Sequence, residues 1–106
     1  MLQGPARFQT LLRRREGLGL LGFRDEERAV ADEAVALADA EARPEYQALA
    51  CAHRAVHLAS RSEHEATFDE LEAAVALARG TDDRLLLGRM LRFWGCLLYT
   101  SDAADE

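Results

Sequence analysis

The stretch AVALA at residues 34–38 recurs as AVALA at residues 74–78, an offset of 40. The same offset pairs Leu18 with Leu58 and Gly19 with Ala59. Alanine and leucine are strong helix formers, and neither copy contains glycine or proline. A recurrence of this length in a helix-forming chain is typical of a repeated unit of two helices.

The composition of the 106-residue chain also favours helices, because alanine, leucine, glutamate and arginine dominate and β-branched residues are few. A chain of this size has room for one small domain. Lysine, isoleucine and asparagine are absent, which indicates a GC-rich source. We find no apolar run near the ~20 residues of a membrane helix and no signal-peptide pattern, and therefore predict a cytoplasmic location.

The last eleven residues, 96–106, resemble the translation of a transposase sequencing adapter in one reading frame. We therefore interpret residues 1–95 as a helical repeat fragment and 96–106 as a tail that is not natural protein. Three of the 19 acidic residues lie in this tail, so the formal charge changes from −6 to −3 without it. Cys51 is then left as a single cysteine, which excludes a disulfide framework.

Start and stop signals predict five helices. The first runs from about Pro5 to Leu20. The second is capped by Asp25 and reaches about Ala42. Pro44 ends it and begins the third, which stops near Ser60.

The fourth helix is predicted to begin with a capping box formed by Ser62 and Glu65, and to reach Arg79. Gly80 is expected to close it in the left-handed conformation. Thr81 or Asp82 then begins the fifth helix. The connections have two to five residues, so consecutive helices should lie antiparallel, as a string of hairpins.

This pattern resembles tetratricopeptide-type repeats, especially the longer, degenerate ones of large bacterial ATP-binding regulators of the LuxR type. The resemblance covers about Gly17 to Gly95. The small residues Ala55 and Gly95 match a first-helix position one unit apart. The second helix of the unit is matched by the small, large and small residues Thr67, Leu71 and Ala74. In the first unit Arg15 and Ala31 depart from the pattern.

The resemblance implies an all-α fold, a right-handed solenoid of stacked hairpins whose concave face holds a peptide, a small effector or another protein domain. We therefore expect a non-enzymatic interaction or regulatory scaffold from a larger signalling or transcription regulator, without cofactor or metal. The candidate contact residues are Tyr46, His53 and His57 on the third helix and Leu85, Met90 and Trp94 on the fifth.

Other chemical interpretations of the sequence are weaker. The GLGLLG stretch at residues 17–22 matches a dinucleotide-binding fingerprint, but no strand precedes it. His53 and His57 are spaced for two zinc ligands, although packing with one hydrogen-bonded nitrogen is the commoner fate of such residues. Cys51 lacks a neighbouring base at helical spacing and is not expected to act as a nucleophile.

Charged clusters have similar alternatives. Residues 13–15, all arginine, with Arg7 nearby, could contact phosphate, but an intramolecular match between the first helix and the acidic second helix is the simpler interpretation. Glu65 and Asp69 are one turn apart and could be paired carboxylates. They are better interpreted, together with Glu63, Glu70 and Glu72, as the solvated face of the fourth helix.

Two rival functions stay open. The chain could be a small self-contained helical protein that dimerises through apolar faces, or a nucleic-acid-binding module that uses its N-terminal arginines. If it is a repeat fragment, the fifth helix has no natural partner after Gly95. The residues Leu85–Leu87, Met90 and Trp94 should then be partly exposed, and the protein should self-associate or be partly molten.

Overall fold

The computed structural model describes the backbone of residues 5–105 and the side chains of residues 5–98, and this part of the chain is all helical. Its five helices are α1 (Pro5–Leu21), α2 (Arg24–Glu41), α3 (Pro44–Ser60), α4 (His64–Arg79) and α5 (Arg84–Asp105). No strand occurs in these residues. The predicted fold class and the predicted number of helices are confirmed.

The helices pack as a series of neighbours. Each helix contacts the next one along the chain, and the odd-numbered helices also contact one another, α1 with α3 and α3 with α5. Within the described residues α2 and α4 do not touch. The odd helices therefore form one layer, and the even helices lie separately against it.

The two units bury equivalent positions. On α1 the inward residues are Phe8, Leu11, Leu12 and Arg15, and each residue 40 positions later on α3 is buried or half-buried. The same holds between α2 and α4, where the buried positions of α2 are 27, 30, 31, 34 and 38. The core is rich in alanine, which lets the helices approach closely.

Two predicted N-terminal caps are wrong, those of α2 and α4. Asp25 does not cap α2, which begins at Arg24 after Phe23 and has no side-chain cap. Ser62 has a φ of 60°, and its amide donates to the Ala59 carbonyl at the end of α3. Because the Ser62 amide is hydrogen-bonded to the end of α3, it is not available for a capping box with Glu65. Helix α4 begins at His64.

The end of α4 also differs from the prediction. Gly80 is right-handed, with a φ of −73°, and its amide donates to the carbonyls of Ala76 and Leu77. Asp83, rather than Thr81 or Asp82, caps α5, because its Oδ1 accepts from the Leu86 amide at 3.0 Å. Pro44 does begin α3, as predicted.

None of the helices in the described residues combines the length and the apolar character that crossing a membrane requires.

Candidate interaction surface and buried charged cluster

A groove lies between the last two helices. It has a volume of about 610 Å³ and is lined mainly by apolar side chains, with one acid and one base. Helix α4 contributes Glu72, Val75, Ala76 and Arg79, and α5 contributes Leu91, Trp94 and Gly95. Leu91 is 48% exposed, and Trp94 is half-buried. We call this feature the α4–α5 groove.

Two further grooves lie beside α3 and share Val56, and the first of them also includes Arg24 and Glu27 of α2. One, of about 400 Å³, lies beside α1 and includes Glu16, Leu20 and Ser60. The other, of about 510 Å³, lies beside α5 and includes Arg92 and Phe93, together with Cys96 and Leu97 of the tail. The odd layer therefore offers a mixed apolar and charged surface that crosses α1, α3 and α5.

Three predicted contact residues are accessible at least in part. Leu85 is 82% exposed, and Trp94 lines the α4–α5 groove. Tyr46 is half-buried, with its ring stacked on Phe8 at a centroid distance of 4.6 Å. Its hydroxyl accepts a hydrogen bond of 2.9 Å from Arg43 Nη1. An interaction role for these three residues stays a prediction.

The other three predicted contact residues lie inside the protein. Met90 and His57 are fully buried, and His53 is 6% exposed. The expectation that Met90 would be exposed is wrong, because its side chain belongs to the main core. Leu86 is buried there as well, while Leu87 is half-buried. His53, His57 and Met90 therefore cannot touch a partner at the surface of this fold.

The two histidines belong instead to a buried charged cluster with Arg15 and Glu27. Arg15 Nη1 lies 2.7 Å from Glu27 Oε2, and Arg15 Nε donates to His53 Nδ1 at 2.9 Å. His57 Nδ1 lies 2.6 Å from Glu27 Oε1. The cluster joins α1, α2 and α3, so it fixes how the first hairpin sits on the second.

Protonation in this cluster follows from burial and from the neighbouring charges. Burial of Glu27 raises its pKa, but the hydrogen bonds and charges of His57 and Arg15 outweigh this and leave the pKa lowered. Burial, with help from the positive charges of Arg15 and Arg89, lowers the pKa of His53 to about 4. Glu27 is therefore charged and His53 neutral at pH 7, which suits the bond His53 accepts from Arg15.

One atom of the cluster lacks a hydrogen-bond partner, since Nε2 of His57 is buried with no polar group in reach. The cluster does not resemble a catalytic arrangement, because its carboxylate is held by an arginine and its histidines are shielded from solvent. Its composition fits a role in orienting the helices. Sequence reasoning missed it; the available signal was that Arg15 and Glu27 fall on the apolar stripes of α1 and α2.

The N-terminal arginines are partly engaged within the protein. Arg7 pairs with Glu33 of α2 at 2.9 Å, and Arg15 pairs with Glu27. The predicted charge match between the first two helices is therefore confirmed for these two residues. Arg13 and Arg14 are exposed. The alternative prediction, that all three consecutive arginines form a phosphate-binding surface, is wrong, because Arg15 is buried in the core.

The remaining candidates gain no support from the geometry. The first two glycines of the dinucleotide-like stretch lie inside α1, while Gly22 has a φ of 81° in the turn before α2. Among the described residues no group of three metal-ligating side chains is suitably placed. Burial and the charge of Glu70 raise the pKa of the Cys51 thiol to about 11, so it is a poor nucleophile.

Comparison with protein-family models, with curated proteins and with solved structures found no match to this chain. The resemblance to tetratricopeptide repeats therefore stays a prediction from the sequence.

Proposed function

We propose that this chain is part of a tetratricopeptide-like array of helical hairpins and works as a non-enzymatic protein-interaction or regulatory scaffold. The observation that carries the proposal is the repeated burial pattern. Every buried position of α1 and of α2 has a buried or half-buried residue 40 positions later, on α3 and on α4. Such equivalence is expected when each hairpin packs on its neighbour in the same way.

The packing of the helices supports the same proposal. Contacts between the odd helices and the absence of contact between α2 and α4 in the described residues are what a stack of hairpins produces. The chain would then be a fragment of a larger signalling or transcription regulator. A cytoplasmic location and the foreign origin of residues 96–106 belong to this proposal.

The length of α5 is consistent with a foreign tail. Both α1 and α3 have 17 residues, whereas α5 has 22. Because α5 starts 40 residues after α3, an equivalent helix would end at residue 100, but α5 continues to Asp105. The segment after Gly95 therefore lacks the interhelical loop that a 40-residue repeat predicts after residue 100.

Within this proposal the odd-helix layer is the surface for a peptide or a neighbouring domain, since the groove beside α1 and the residues Arg89, Arg92 and Phe93 of α5 meet at Val56. Selection of a random peptide library on the protein tests this directly. Binders should be lost with Val56→Glu and kept with Ala73→Glu, a control on the exposed side of α4. If no selected peptide depends on Val56, this layer is not the binding surface.

Self-association is the second candidate function, and the exposure of Leu85 and Leu91 on α5 favours it. Here the protein would be a small dimer instead of a repeat fragment. Light scattering distinguishes the two, because a functional dimer keeps a fixed stoichiometry on dilution, whereas an uncovered repeat end associates weakly and without fixed stoichiometry.

A further inference from the structure

The exposed face of α5 corresponds to a covered face of α3. At the offset of 40, Leu91, Trp94 and Gly95 correspond to Cys51, Arg54 and Ala55. On α3 these positions are shielded: Ala55 is fully buried, and Cys51 and Arg54 are half-buried. On α5, Leu91 and Gly95 are exposed. A Cβ atom built at Gly95 would have no neighbour within 4 Å.

The element that covers this face of α3 is α4. Arg54 Nη2 lies 2.6 Å from Glu70 Oε1 of α4, and Arg54 Nη1 lies 3.5 Å from Asp32 Oδ1 of α2. Ala55 belongs to the same buried cluster as Leu71 of α4. The helix α4 thus lies on α3 beside α2, at the place equivalent to the α4–α5 groove. Glu72 in that groove corresponds to Asp32.

We propose that the α4–α5 groove is the docking site for an amphipathic helix of the α4 type. The inference rests on the proposed repeat function and names the partner of the last helix. The support comes from the fold, because this chain already contains such a helix one unit earlier, where α4 covers the equivalent face of α3.

The differences between the two grooves specify the chemistry of the partner helix. The residues equivalent to Thr67, Leu71 and Ala74 should be small or aliphatic, because they lie against the neighbouring helix. Gly95 in place of Ala55 leaves more room for a large aliphatic side chain at the position of Leu71. Trp94 replaces Arg54, so an acid equivalent to Glu70 would lose the partner that Arg54 provides one unit earlier. An apolar residue at that position would pack on the indole ring.

A helical peptide with the sequence of residues 63–80 tests the proposal on the full chain. A hydrocarbon staple between the exposed positions 65 and 69 keeps it helical without touching its apolar stripe. Glu70 is replaced by leucine in the peptide to suit Trp94. Trp94 is the single tryptophan of the protein, and the peptide contains none, so indole emission reports directly on the groove.

We expect a saturable blue shift of Trp94 emission as the peptide is added. The same peptide with Leu71→Glu should bind at least about tenfold more weakly. On the protein, Leu91→Glu should abolish the shift, whereas Leu21→Glu, at an exposed position of α1 outside the grooves, should leave it unchanged.

No saturable shift, or equal binding of the Leu71→Glu peptide, would overturn the proposal. A shift that follows protein concentration and that the peptide cannot compete away would assign the groove to a second copy of the chain and also overturn it. Neither outcome would be evidence against the proposed surface at Val56 or against the repeated burial pattern. Failure here is therefore distinguishable from failure of the proposed function.

Discussion

Gly19 of α1 lies against the carboxylate of Glu27 on α2, and a Cβ atom at position 19 would stand 2.6 Å from Glu27 Oε2. In the second unit Ala59 and Thr67 stand at the equivalent positions, and Ala55 stands where the first unit has Arg15. The two units therefore differ in the residues that form this contact. The first accommodates a buried ion pair beside a glycine, and the second packs small side chains.

Replacing Gly19 by alanine tests this contact, and Gly17→Ala is the matched control. Both glycines lie within α1, but a Cβ at Gly17 has no neighbour within 4 Å. Gly17→Ala should stabilise the protein by about 0.5–1 kcal/mol through helix propensity. Gly19→Ala should destabilise it by about 1–3 kcal/mol, because the Glu27 carboxylate must move. Urea unfolding followed by circular dichroism measures both, and equal effects of the two substitutions would contradict the contact.

The ion pair between Arg15 and Glu27 should be strongly coupled, since both side chains are buried. Arg15→Ala leaves the buried Glu27 with only His57 and the half-buried Arg24, and Glu27→Thr leaves the buried Arg15 without a carboxylate. Each substitution should cost about 3–5 kcal/mol. The double variant, which copies the second unit, should cost less than the sum by about 1–3 kcal/mol. A double-mutant cycle of unfolding free energies gives this coupling. Additive effects would mean that the pair is not formed.

Stability should fall as the pH is lowered from about 6.5 to about 4. The pKa of His53 is lowered to about 4 from its ordinary value of 6.5, so the unfolded state binds the proton more tightly in this window. The loss should reach about 3 kcal/mol. The lowered pKa of Glu27 acts in the same direction below about 4.5.

The variant His53→Gln provides the control for this pH dependence, because the amide oxygen can still accept from Arg15 Nε but does not titrate. Unfolding free energies measured at several pH values should show a flatter profile for the variant between pH 6.5 and 4.5. If the two profiles run parallel, His53 is not the group responsible.

The uncovered side chains of α5 should cause weak self-association when no partner is bound. Leu85 is 82% exposed and Leu91 is 48% exposed. Sedimentation velocity over a range of concentrations should give masses that rise above the 11.8 kDa monomer. Leu85→Glu should lower the association, whereas Ala29→Glu, which adds the same charge at an exposed position of α2, should not. A wild-type protein that stays monomeric and melts cooperatively at high concentration would oppose this expectation.

The helices could be predicted from the sequence because the signals that define them are local. Apolar spacing, Pro44 and the short connections are sufficient for that purpose, and the recurrence at residues 34–38 and 74–78 predicted a repeat of two helices. The caps were less predictable. The Ser62 amide can donate a hydrogen bond either to the end of α3 or at the start of α4, and which bond forms depends on how the two helices pack.

The buried cluster could not be predicted with the same means. Glu27 lies in the first turn of α2, where an acid normally favours the helix dipole from the solvent side. Arg15 belongs to a run of three arginines, of which two are exposed. Whether a charged residue on an apolar stripe is buried depends on the partner that the fold brings to it, and that partner comes from another helix.

The most direct test of the central claim is to sequence the source DNA across codon 95 by a method that uses no transposase adapter. If the chain is part of a repeat array, the reading frame departs from residues 96–106 and continues into further alanine- and leucine-rich hairpins. The next helix should carry small or aliphatic residues at an offset of 40 from Thr67, Leu71 and Ala74. A frame that stops within a few codons, or that reproduces residues 96–106, would contradict the account and favour a small self-associating protein.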